Sequence, residues 1–171
     1  MPMAGLLIRA ERDADVMAIR KVVSAAFASI AQSNQKEHLL VDRLRESGAL
    51  AVSLVAEAEG RVVGHVAFSP VTITGSFCAW YGLAPLAVFP TYQRNGIGSR
   101  LVIAGLESLR ALHAQGCVLL GEPEYYARFG FVARENLLLE NVPPEYFLAI
   151  SFSKGYPRGT VAYHPAFALC S

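Results

Sequence analysis

The sequence predicts an α+β fold in which one helical crossover joins an antiparallel meander to a parallel strand. Three stretches carry that expectation. β-rich runs recur between Val52 and Val88 with turn residues between them. An apolar run, Leu83 to Phe89, turns through Gly96 and Gly98 into an amphipathic run that reaches His113. Gly116 is then followed by the short, wholly apolar run Cys117 to Leu120. Strand, helix and strand in that order favour parallel pairing, since a tight hairpin joins only antiparallel neighbours, so the sheet is expected to be mixed.

In chain order, Leu6 to Arg9 reads as a strand. Asp13 to Phe27 reads as a helix whose acidic start suits an N-cap and the helix dipole. Gln35 to Ser47 reads as a second helix, stopped at Gly48 by a left-handed cap. Val52 to Ala56 and Arg61 to Ser69 form a hairpin around Ala58, Glu59 and Gly60, and Cys78 to Val88 adds a third strand after the turn signal Thr74, Gly75, Ser76. On the crossover helix, Ile97, Leu101, Val102, Gly105, Leu109 and Leu112 share one side at helical spacing, while Arg100, Glu107 and Arg110 lie away from it. Gly105 on the apolar side predicts close packing against the sheet. Pro123 to Arg128 reads as a short helix, and Phe147 to Phe152 and Thr160 to Tyr163 as further strands, with Pro143 and Pro144 in the preceding loop. No repeat or long linker interrupts the order. A chain of 171 residues buries roughly two-thirds of its unfolded surface in one core, so one domain spanning 1–171 is expected.

A formal net charge of +1 and a charged content of 17% leave no basic stripe for general nucleic-acid or anionic-membrane binding. The 53% hydrophobic content is broken every few positions, with no run near the ~20 residues a membrane helix needs. Met1 to Ala10 lacks the basic start and long apolar core of a signal peptide, so a cytoplasmic protein is expected. Cys78, Cys117 and Cys170 show no CxxC spacing, and His38, His65, His113 and His164 are scattered. Neither a disulfide framework nor a metal site is expected.

The stretch with the clearest chemistry is Gln93, Arg94, Asn95, Gly96, Ile97, Gly98, Ser99. A strand that turns through glycines into a helix leaves first-turn amides without acceptors, and these favour an anion such as a phosphate. A Walker loop is excluded because neither its lysine nor its spacing is present, and the dinucleotide fingerprint fails at Leu101. On the glycines alone, a tight turn with no ligand is the plain alternative.

Read from Leu83 onward, Leu-Ala-Pro-Leu-Ala-Val-Phe-Pro-Thr-Tyr-Gln-Arg-Asn-Gly-Ile-Gly-Ser-Arg-Leu resembles the acetyl-CoA signature of the GNAT family of N-acetyltransferases. Tyr126 to Phe131, Tyr-Ala-Arg-Phe-Gly-Phe, is similar to that family's tyrosine segment, in the right order and at a suitable separation. Leu40 to Arg45, Ser53 to Glu57, Val63 to Val66 and Gly121 to Tyr126 resemble the YhbS-like branch. The resemblance covers Glu37 to Phe131 and extends toward both ends.

The resemblance implies a three-layer α/β/α fold with a central mixed, mostly antiparallel sheet splayed between two parallel strands. It implies acetyl-CoA as co-substrate, with no metal. The pyrophosphate would lie on backbone N–H groups of Arg94, Asn95, Gly96, Ile97, Gly98 and Ser99, beside Gln93. The pantetheine arm would pair with the backbone of Leu86, Ala87 and Val88, where one N–H would polarise the thioester carbonyl. Tyr126 is implied as the general acid for the departing thiolate, a phenol with reference pKa about 10 being protonated at neutral pH. Tyr125 is its rival, because adjacent helical positions point about 100° apart. Glu37 and Glu122 are candidate bases for an ammonium acceptor, with Glu124, His65 and a water-mediated route beside them. Leu119 stands where many members carry an asparagine.

Direct transfer to a primary amine through a ternary complex is the expected activity. A CoA-binding regulatory protein without catalysis is one alternative; a transferase acting on aminoacyl-tRNA is another, which the small net charge disfavours. The acceptor pocket is expected from the Ser29 to Glu37 connection, the Val71 to Ala79 turn and the C-terminal segment. The resemblance also allows a homodimer, which the sequence itself leaves open.

Overall fold

The computed structural model describes residues 5–170. The Met1 to Ala4 part of the stretch considered for a signal peptide, and Ser171, lie outside the described residues. The elements run β1 (Leu7–Ala10), α1 (Val16–Phe27), α2 (Glu37–Glu46), β2 (Val52–Ala58), β3 (Arg61–Pro70), β4 (Thr72–Ile73), β5 (Trp80–Val88) and α3 (Ile97–Ala111). They continue with β6 (Gly116–Leu120), α4 (Pro123–Tyr126), β7 (Val132–Ala133), β8 (Leu137–Leu138), β9 (Phe147–Ser151) and β10 (Gly159–Ala162).

A seven-stranded sheet has the order β1-β2-β3-β5-β6-β9-β7, and β4, β10 and β8 make a small second sheet. Within the large sheet only β5 and β6 are parallel. The fold is therefore the expected mixed, mostly antiparallel one. The expected strand Thr160 to Tyr163 is found as β10, but it belongs to the small sheet. The strands β4, β7 and β8 were not foreseen, because two residues are too short to show an alternation.

The helix expected from Asp13 begins instead with a 3-10 turn, Asp13–Asp15. The Asp15 carboxylate does not cap α1; it accepts from the Arg12 amide at 2.7 Å and pairs with Arg9 at 2.7 Å. The hairpin turn is tighter than expected: Ala58 pairs with Arg61, leaving Glu59 and Gly60 at φ 53° and 75°. Positive φ at both central residues matches the right-handed twist of the strands.

Alternate residues of β2 face opposite layers. Leu54 and Ala56 join the cluster with α3, while Val55 packs with Ile19, Val22 and Val23 of α1 and Val41 of α2. So α3 covers one face of the sheet and α1 with α2 the other. Each fully buried Leu, Ile or Phe in these layers contributes roughly 1.5–3 kcal/mol. Gly105 lies on the sheet-facing side as expected, and a Cβ there would stand 2.3 Å from Cε1 of the buried Phe68. Leu112 is the exception to the predicted stripe. It sits past the helix end, 51% exposed, and Leu106 is buried in its place.

The parallel pair comes apart midway. β5 pairs with β6 only at Trp80, Tyr81 and Gly82, yet continues beside β3 to Val88. The β3–β5 register slips between Val66 and Phe68, so β5 carries one extra residue at Ala84 and Pro85. That bulge bends β5 away from β6. Beyond Gly82 the β6-facing edge of β5 has no partner strand among the described residues.

Candidate active site

The splayed end of β5 runs directly into the glycine loop. The Phe89 amide donates to Val63 O at 2.8 Å, a 3-10 turn covers Pro90–Tyr92, and Gln93 Nε2 donates to Val88 O at 3.0 Å. The Asn95 side chain folds back, Nδ2 donating to Tyr92 O at 3.1 Å and Gln93 O at 3.3 Å. Arg94 and Gly96 take left-handed φ of 67° and 78°, which turns the chain into α3. The first bond into the loop is Arg100 N to Gly96 O at 3.1 Å, and no side chain caps the helix. Among the described residues the amides of Ile97, Gly98 and Ser99 meet no acceptor, so they are free for an anion.

A cleft of about 500 Å³ lies over these amides. Its walls are Leu86 and Val88 of β5, the loop from Tyr92 to Ser99, and Tyr125 and Arg128 across from them. Of the residues expected at the donor site, Ala87 and Asn95 do not line it with side chains. Ala87 is buried against α1 on the opposite sheet face and offers only its main chain, and Asn95 is occupied in holding the loop. An added Cβ at Gly98 would point toward Tyr125 Oη, Leu86 and Val88 at 3.4–3.9 Å, so this glycine keeps the cleft floor open.

The two tyrosines of α4 part company. Tyr125 Oη shares a 3.2 Å hydrogen bond with Ser99 Oγ at the α3 end of the cleft. Its ring carries the Arg128 guanidinium at 4.4 Å and meets Tyr126 edge-on at 4.9 Å. Tyr126 turns instead to the splayed end of β6, where Gly121 leaves room for it: a Cβ there would lie 2.5 Å from Tyr126 Cε2. Phe131 packs edge-on to it at 5.9 Å. Burial, with smaller contributions from Tyr125 and Cys117, pushes the Tyr126 phenol up to about 12. It is a neutral donor throughout the physiological range.

The expected carboxylates lie apart from this cleft. Glu37 begins α2 and both its oxygens stand 2.7 Å from Ser33 Oγ. Glu122 precedes α4, exposed, and its carboxylate makes no cap. The connection before Glu37 does meet the C-terminal segment, Asn34 Nδ2 donating to Leu169 O at 2.7 Å. Cys117 is fully buried and burial raises its thiol well above the ordinary range, which removes it as a nucleophile.

His65 is fully buried on the helix α1 side of β3, and burial lowers it to about 4. Its Nε2 lies 2.8 Å from Ser53 Oγ, which itself donates to Glu11; Arg45 Nε donates to the other Glu11 oxygen at 2.8 Å. Because the hydroxyl proton goes to the carboxylate, Nε2 must carry the imidazole hydrogen. Glu11 stays below the ordinary carboxylate range: burial raises it, and the bonds from Arg45 and Ser53 outweigh that. Neither this network nor the Tyr125–Ser99–Arg128 cluster was read from sequence, since each joins residues far apart in the chain. Among the described residues no group of three or more His, Cys, Asp or Glu could hold a metal ion, and no helix is long and apolar enough to cross a membrane.

A mixed sheet splayed beside an uncapped helix N-terminus defines a class of protein that takes an extended, anion-bearing ligand, and comparison with known proteins makes the family specific. The chain belongs to the GNAT family of N-acetyltransferases. Residues 49–133 match the family model of the acetyltransferase (GNAT) domain. Escherichia coli YhbS, an uncharacterised N-acetyltransferase, is 42% identical over 127 residues, which is 74% of this chain and 73% of that one. The crystal structure of a GNAT family acetyltransferase from Brucella melitensis in complex with acetyl-CoA is 49% identical, with a TM-score of 0.85 over 95% of this chain and 97% of that one. The crystal structure of YhbS from Escherichia coli in complex with CoA gives a TM-score of 0.87 at 36% identity, over 98% and 94% of the two chains.

Proposed function

We propose that this chain, as a single N-acetyltransferase domain, binds acetyl-CoA in the cleft over α3 and transfers the acetyl group directly to a primary amine. The carrying observation is that the unpaired edge of β5 leads without a break to the free amides of Ile97, Gly98 and Ser99. An extended pantetheine arm pairs with the first and a pyrophosphate with the second. The acetyl-CoA and CoA complexes of the two similar structures support the same ligand. A helix N-terminus contributes ~0.3–2 kcal/mol to a bound anion beyond its individual hydrogen bonds.

In the reaction the neutral amine attacks the thioester carbonyl while a β5 amide donates to the developing oxyanion. As the C–S bond breaks, Tyr126 donates its proton to the thiolate and recovers one from the nitrogen through solvent. Tyr126 suits this role because its ring lies against β6 at the splay and its hydroxyl makes no protein hydrogen bond among the described residues. Glu37 is the better placed base of the two carboxylates, standing where the 29–36 connection meets the C-terminal segment. Glu37→Gln is expected to lower kcat/KM; an unchanged value assigns deprotonation to water.

The test is a screen of thiol release from acetyl-CoA over amine classes, with Tyr126→Phe alongside. Acetyl-CoA binding without transfer to any amine would favour a CoA-binding regulatory protein, a reading to which the burial of Leu119 in the core cluster lends weight. Ping-pong kinetics with a stable acyl-enzyme would refute direct transfer.

A further inference from the structure

Two arginines outside the cleft over α3 are brought to one cavity by the small sheet. Arg134 follows β7 and Arg158 precedes β10. The parallel pairing of β10 with β8, Gly159 opposite Leu137, sets the two segments side by side, and the Gly159 amide donates to Asn136 O at 2.9 Å. Only glycine fits at that junction: a Cβ on Gly159 would stand 2.6 Å from Thr74 O, and its φ is 146°. The resulting cavity holds about 430 Å³ and shares no lining residue with the cleft over α3.

One wall of the cavity is built in advance. Ser151 Oγ donates to Gly155 O at 2.6 Å and closes the loop that presents Tyr156, whose ring leans on the buried Trp80 at 6.1 Å. Arg134 Cζ lies 4.3 Å from the centre of the Tyr156 ring, so the face of this guanidinium is occupied and its N–H edge remains open. Among the described residues no guanidinium N–H of Arg134 or Arg158 makes a hydrogen bond or ion pair, and the Asn136 side-chain amide is likewise unbonded. Glu135 lines the same cavity and pairs with neither arginine. Two cations in one cavity repel each other, and an anion between them turns that repulsion into attraction. The volume falls within the ~300–1,000 Å³ of small-molecule sites, so the anion is expected on an organic molecule.

We infer that Arg134 and Arg158 form a second ligand site, which takes a small organic oxyanion, a phosphate monoester or a dicarboxylate, on two guanidinium forks with the Asn136 amide beside them. The site does not depend on the acetyl-CoA reading. With no wall in common, the two cavities can be filled together.

The test is calorimetric titration of the full chain with glycerol 3-phosphate and with succinate at constant ionic strength, glycerol serving as the uncharged control. Saturable binding of at least one of the two anions is expected, and none of glycerol; the arm that binds more tightly tells which oxyanion the site prefers. Arg134→Gln and Arg158→Gln should each weaken that binding by ~10- to 100-fold, the range of one charge-assisted contact. Arg134→Lys and Arg158→Lys should recover only part of it, because an ammonium lacks the planar fork. Glu135→Gln should tighten it by up to ~5-fold, one like charge being removed. Each variant should melt within ~4 °C of the wild type, reporting an intact fold, and Arg158→Gln, which has no ring contact to lose, carries the test alone if Arg134→Gln does not. No saturable binding of either anion, glutamine variants that bind as the wild type does, or lysine variants that bind as well as arginine overturns the assignment.

Discussion

Gly98 separates binding from folding, because its missing side chain faces the cleft rather than the core. A methyl built there meets Tyr125 Oη at 3.4 Å and Leu86 Cδ2 and Val88 Cγ2 at 3.9 Å, all ordinary contacts. Its φ is not left-handed. Gly98→Ala should therefore fold normally and gain up to ~1 kcal/mol in helix propensity, a rise in Tm of ~2–4 °C for a chain of this size. Acetyl-CoA affinity should fall less than ~10-fold, one weakened hydrogen bond at most. Gly98→Leu adds three further carbons among the cleft-lining Leu86, Val88 and Tyr125, beside the amides of Ile97, Gly98 and Ser99. Loss of two charge-assisted hydrogen bonds at ~1.5–3 kcal/mol each weakens acetyl-CoA by more than ~100-fold. Calorimetric binding beside a thermal melt measures both quantities. Wild-type acetyl-CoA affinity in Gly98→Leu, with an unchanged melt, would refute the placement of the pyrophosphate on these amides.

Tyr126→Phe should lower kcat by ~10- to 1,000-fold with acetyl-CoA affinity nearly unchanged, as expected for a proton donor used only in the reaction; full turnover in a steady-state assay would return the role to Tyr125 or to solvent. Gly105→Ala should destabilise the fold by ~1–3 kcal/mol despite the better helix propensity, since Phe68 cannot move without disturbing the core. A urea midpoint equal to the wild type's would show that α3 shifts freely. Folding stability should fall as pH is lowered from about 6.5, the ordinary histidine value, toward about 4, the buried His65 value. Over that window the unfolded chain binds a proton that the folded one refuses, giving a slope approaching ~1.4 kcal/mol per pH unit. Glu11, held low beside Arg45, continues the loss at more acid pH. Urea titrations should show the upper window flattened in His65→Leu and the lower part retained; an unchanged upper slope would assign it to another group.

The parts legible in sequence are those set by neighbours in the chain. Gly60 announces a turn because a glycine takes positive φ without strain, whereas the positive φ of Glu59 appears only in the structure; the Gly96 to Ser99 turn announces free amides because a helix start always leaves them. Gly105 is visible as a gap in an apolar stripe at helical spacing. Its partner, Phe68, is visible only once the sheet is assembled. The same limit applies to the donor site. Family resemblance pointed to the segment that holds Tyr125 and Tyr126, but their separation depends on Ser99 lying opposite one and Gly121 beneath the other. The buried His65–Ser53–Glu11 chain and the two-residue strands of the small sheet have no local signal at all. Short-range periodicity and turn chemistry thus determined the longer elements and the loop with free amides. The splay and the separation of the two tyrosines were decided by contacts between distant segments, whose geometry arises only when the sheet and its covering helices pack.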